Sequence, residues 1–215
     1  MRIKTLATIR STFRGFEDKG EEMAKKRIPA TEKMWLRSEL SEQGIQALVT
    51  QGLLKPKLEV EWKAAFGEAF PTENTEEQVV FASYFERGFN VPTSDFFRGL
   101  LYHYCLELVH LVPNSITVIS TFIHLCEAFM GIPPHFNMWR YFFQAKKTGK
   151  SQVVGSVGFY LRPSRKGEYI EMELPDNNKE WRSEWFYIGN QEPGLPPRIG
   201  HGLKKIAEWD QQLTS

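Results

Sequence analysis

Near Lys150 the spacing of apolar residues changes from helical to alternating, and this change restricts the chain to folds that join helices to a sheet. Before it, Ser94 and Asp95 offer an N-cap to a segment whose Phe97, Leu100, Leu101, Tyr104, Cys105 and Leu108 recur as one apolar stripe. Pro113-Asn114-Ser115 punctuates, and Asn114 or Ser115 caps a second helix that runs to a stop at Met130-Gly131. The pair Pro133-Pro134 starts a third, containing Phe136, Trp139, Phe142 and Phe143. Three packed helices over 94–143 are therefore expected to supply the main core. Upstream, Ser41 caps a helix with Ile45, Leu48, Val49 and Leu53 at helical spacing.

After Lys150, three strands are expected. Val153, Val157, Phe159 and Leu161 form the first, and in the second Tyr169, Glu171 and Glu173 alternate with Ile170, Met172 and Leu174. The aromatic run EWRSEWFYIGN is the third, and Ile199, Leu203, Ile206 and Leu213 suggest a closing helix over 198–213. The fold class is thus α+β: a helical body of several packed helices, then a small antiparallel sheet and a C-terminal helix. Residues 1–30, with eight basic and four acidic side chains and few large apolar ones, read as a mobile basic arm. Residues 31–215 read as a single globular domain, helical over 31–147, with its sheet over 151–190.

The net charge of +1 gives no global reason to seek nucleic acid or anionic lipid. Two cysteines, Cys105 and Cys126, make neither a disulfide framework nor a zinc knuckle, so the expected location is intracellular, nucleus or cytoplasm. The longest apolar stretch, Ile116 to Met130, falls short of the roughly 20 residues that a membrane span needs, and no membrane partner is expected. Residues 59–86 carry seven glutamates against Lys63 alone, the pattern of a solvated face.

Candidate chemistry is sparse. His124 and Cys126 point about 200° apart on a helix and cannot share an ion; Cys126 falls on the buried stripe and His124 on the polar face. His103, Glu107 and His110, spaced i, i+4 and i+7, would share one helical face, yet no fourth ligand accompanies them. Nucleophile-elbow, phosphate-loop, dinucleotide and HExxH patterns are missing, so neither catalytic nor metal residues nor a cofactor is assigned. The charge is unbalanced in one place. Arg140, Lys146, Lys147, Lys150, Arg162, Arg165 and Lys166 fall in a stretch without Asp or Glu, and they are the candidate nucleic-acid-binding residues. If the first strand is extended and continuous, its two basic ends stand roughly 30–40 Å apart, suited to tracking a phosphate backbone.

Residues 88–143, from GFNVPTSDFFRGLL to NMWRYFF, resemble a plant family named for gypsy-type transposons (transposase-like), which is retroelement-derived and found in many copies in grass genomes. ERGFNVPTSDF resembles its opening and NNKEWRSEWFYIGN a second block, so the likeness spans roughly residues 35–192. His110, Leu111, Pro113, Asn114 and Ser115 match its His-Leu-Asn-Pro-Asn-Ser turn, with Val112 in place of Asn. The resemblance carries over no catalytic residues. The carboxylate trio and His-His-Cys-Cys module of integrases, the Asp-Ser/Thr-Gly loop of retroelement proteases and the Asp-Asp pair of reverse transcriptases are not recognised here. By elimination, the expectation is a non-enzymatic, gag-like or host-adopted domain that binds a protein partner or itself. Sequence-nonspecific binding of RNA or DNA is the alternative, and an enzyme without a local motif the third.

Overall fold

The computed structural model describes residues 35–72, 76–148, 153–175, 179–191 and 194–196. The expected arm over 1–30 and the closing helix over 198–213 lie outside the described residues. Helix α1 (Glu42–Thr50) begins at Ser41, whose hydroxyl accepts from the Gly44 amide, and buries Ile45 and Leu48. A short helix α2 (Lys57–Val60) leads to strand β1 (Lys63–Ala64), and strand β2 (Glu77–Phe81) runs directly into helix α3 (Ala82–Phe85).

Helix α4 (Asp95–His103) starts as its sequence signals, with the Ser94 hydroxyl accepting from the Phe97 amide and Phe97, Leu100 and Leu101 buried. It ends sooner than the stripe implies. Cys105 takes a left-handed φ of 52°, while the Leu106 amide donates to Leu101 and the Cys105 amide to Tyr102, the paired bonds of a Schellman stop. Cys105 is therefore exposed rather than on the apolar stripe, whereas Leu106 and Leu108 still reach the core from the turn that follows. The same stop separates His103 from Glu107 and His110. These last two close the 3-10 turn Leu108–His110, with the Glu107 amide donating to His110 Nδ1 at 3.0 Å.

Helix α5 (Pro113–His124) is capped by Val112 with Pro113 in its first turn, so neither Asn114 nor Ser115 is the cap. Its Ile116, Ile119 and Phe122 are buried. A π-helical turn (Leu125–Met130) continues it to Gly131, where a φ of 63° ends the run as expected. Cys126 is fully buried and His124 exposed, as their faces predict. Helix α6 (Phe136–Phe142) buries Trp139, but Phe143 leaves the helix to open strand β3 (Phe143–Lys147).

The class is α+β, but the strands are not confined to the segment after residue 150. Among the described residues they make two antiparallel sheets. Strand β4 (Val157–Leu161) pairs with β3 as a hairpin. Strand β5 (Trp185–Gly189) lies between β1 and β2, with Phe81 opposite Trp185 and Lys63 opposite Tyr187. Trp185 to Ile188 are all buried, as a central strand requires. The acidic stretch 59–86 is thus more than a solvated face, since it contributes buried Val79, Val80 and Phe81. Residues 169–174 form no strand. Tyr169 and Met172, three apart, turn toward the core, while Ile170 and Leu174 face outward, a spacing that breaks the period of two.

Among the described residues, no helix is long and apolar enough to cross a membrane.

Candidate functional site

The hairpin sorts its residues by parity. Pairing of Phe143 with Leu161 and Lys147 with Val157 puts Phe143, Ala145, Val157 and Phe159 on the buried face. Gln144, Lys146, Gly158 and Tyr160 then share the outer face. The Tyr160 ring lies back over Gly158: a Cβ built on that glycine would stand 2.5 Å from a ring carbon. Tyr160 remains 40% exposed there.

The six described basic residues stand in different surroundings around the hairpin. Lys146 and Lys147 are exposed on β3, and the Arg162 Nε donates to the Arg140 carbonyl at 2.8 Å beyond the other end of the hairpin. Lys146 stands opposite Gly158, four residues before Arg162, so these two cations are only about 13 Å apart along the strand. The expected 30–40 Å separation is corrected because β4 spans Val157–Leu161 alone and the chain folds back as a hairpin. Arg165 is partly neutralised. Its guanidinium lies 3.8 Å from the Tyr141 ring centroid and pairs with Glu168 at 2.9 Å. The Tyr141 hydroxyl also donates to Glu168 at 2.6 Å, and these two contacts hold the Glu168 carboxyl below its usual range. Lys166 shares the rim of a groove with Glu171 and Glu173. Lys150 lies outside the described residues.

That groove, about 400 Å³, runs between β4 and the irregular segment Tyr169–Leu174. Val118, Phe143 and Phe159 contribute to its walls, and Ile170 and Leu174 at its rim are 45% and 38% exposed. In the hairpin ladder the Arg162 amide donates to Phe142, so the backbone groups of Phe159 and Leu161 point away from β3. Ser115 Oγ accepts from the Phe159 amide at 3.0 Å. Leu161 makes no backbone hydrogen bond on that side among the described residues, and neither do Tyr169 to Leu174. The buried Tyr169 hydroxyl likewise has no hydrogen-bond partner among the described residues, and burial pushes its pKa up to about 12.

Sequence reasoning did not single out Tyr160, Ile170 or Leu174. The Gly158-x-Tyr160 spacing, which puts glycine and aromatic on one face of a strand, was the available signal for the first. The alternation assigned to 169–174 concealed the other two. Among the described residues, no three His, Cys, Asp or Glu side chains converge where an ion could be held.

The chain from β2 through α3, α4, α5 and α6 to the last residue of β3 carries Lys146 and Lys147 to the hairpin. Residues 79–147 match the family described as "Putative gypsy type transposon". This is narrower than the 35–192 expected, and the later block NNKEWRSEWFYIGN lies beyond it. No curated protein and no solved structure matches the chain. The matched segment therefore supplies one strand of the hairpin and Val118 and Phe143 of the groove, while β4 and Tyr169–Leu174 lie outside it.

Proposed function

We propose that this chain is a non-catalytic, retroelement-derived interaction domain that acts inside the cell, gag-like or host-adopted, and takes an apolar peptide segment of a protein partner into the groove between β4 and Tyr169–Leu174. The carrying observation is the coincidence, on one groove, of outward Ile170 and Leu174 with backbone groups that make no hydrogen bonds among the described residues. Burying such apolar rims contributes about 25 cal/mol per Å². Main-chain hydrogen bonds to an added segment would satisfy the open donors and acceptors, while pockets beside them select side chains. Glu171 and Glu173 outnumber Lys166 at the rim, which favours a peptide bearing Lys or Arg next to its apolar residues.

The test is selection of short random peptides on the immobilised protein, followed by fluorescence anisotropy. Selected peptides should combine apolar and basic residues, and Ile170→Asp or Leu174→Asp should weaken them at least about tenfold. Equal binding to both variants and wild type would contradict the reading.

A further inference from the structure

We propose that the outer face of the β3–β4 hairpin is a second site, which meets the groove at Tyr160, and that it binds single-stranded nucleic acid with Tyr160 as the platform on which a base stacks. Charge identifies the polymer. No Asp or Glu occurs from Arg140 to Lys166, and among the described residues neither Lys146 nor Lys147 makes an ion pair. Lys146 and Arg162 flank Tyr160 along the hairpin, one cation toward each end. A polyanion running along this face meets positive charge before and after the ring.

The aromatic identifies the form of the polymer. A Tyr ring lying over a glycine on the open face of a sheet is already fixed in position, so it loses little freedom when a flat group settles on it. Base faces are hidden inside a duplex and exposed in a single strand, which is why aromatic platforms joined to cationic grooves select single strands and tolerate any base. Lys and Arg at either end contact phosphates rather than base edges, adding affinity without sequence preference.

The experiment measures anisotropy of labelled oligothymidylate with the full chain at about 50 mM salt, where phosphate contacts are strong. Wild type should bind, with affinity falling steeply as salt rises, and a duplex of equal length should compete poorly. Tyr160→Ala should weaken binding about 5- to 100-fold, the loss of one stacked base, while Tyr160→Phe retains it. Gly158→Ala, which leaves the tyrosine in place but pushes its ring off the strand, should weaken binding in the same direction. Lys146→Glu should reduce the salt dependence without altering peptide binding in the groove. Absence of binding by wild type, equal competition by duplex, or full affinity in Tyr160→Ala would each overturn the proposal.

Discussion

The Tyr84 hydroxyl donates a 2.7 Å hydrogen bond to the carbonyl of Leu111, tying α3 to the turn that opens α5. Tyr84 is fully buried, so this bond has no water to replace it. Tyr84→Phe is expected to lower unfolding stability by roughly 1 kcal/mol, read as a shift in the urea midpoint with unchanged slope. An unchanged midpoint would show that the bond adds nothing.

Burial raises the pKa of Tyr84 and of Tyr104, and pushes that of Tyr169 up to about 12. Since the folded values exceed the unfolded one, this stability is fully present below about pH 10 and is lost as pH rises through the folded values. Urea midpoints should therefore fall between about pH 10 and 12, and less steeply in Tyr84→Phe. Identical slopes in the two proteins would remove Tyr84 from the account.

Burial, and then the nearby Glu86, Glu180 and Glu39 carboxylates, raise the pKa of Glu184. A raised folded pKa means that stability present below the unfolded value is lost as pH rises through the folded one. Glu184→Gln should accordingly raise the thermal midpoint at pH 7 and change it little near pH 4. The opposite pattern would place a cation beside Glu184.

Phe122 packs against Phe96 at 5.4 Å and Trp139 at 5.2 Å between ring centroids, and Leu101 is fully buried on α4. Leu101→Ala or Phe122→Ala should each cost roughly 2–5 kcal/mol, seen as a lower denaturation midpoint. If both midpoints stayed in place, the helical body would not be the core.

These elements differ in how openly the sequence declares them. Ser41 and Ser94 cap helices because a short hydroxyl side chain reaches an amide three residues on, a purely local relation that a sequence displays. Cys105 hides a helix end, because a left-handed residue there is usually glycine and nothing else in LYHYCLEL signals a stop. Trp185 to Gly189 was legible as a strand, but its partners at 63–64 and 77–81 are more than a hundred residues away, and such pairing leaves no local trace. In the groove, Tyr169 and Met172 turn inward at a spacing of three. Exposure of Ile170 and Leu174 follows from that turn, not from composition. The basic run was visible, whereas its division by Glu168 and by the fold of the hairpin was not.

The most direct measurement is amide hydrogen exchange with and without a peptide selected on the protein. Open amides exchange fast and those in new hydrogen bonds slow down. The account predicts that peptide binding protects amides within Tyr169–Leu174 and at Leu161, leaves those of β2 and β5 unchanged, and loses this effect in Leu174→Asp. Protection confined to other segments, or none at Tyr169–Leu174 while the peptide is bound, would contradict the groove as the binding site.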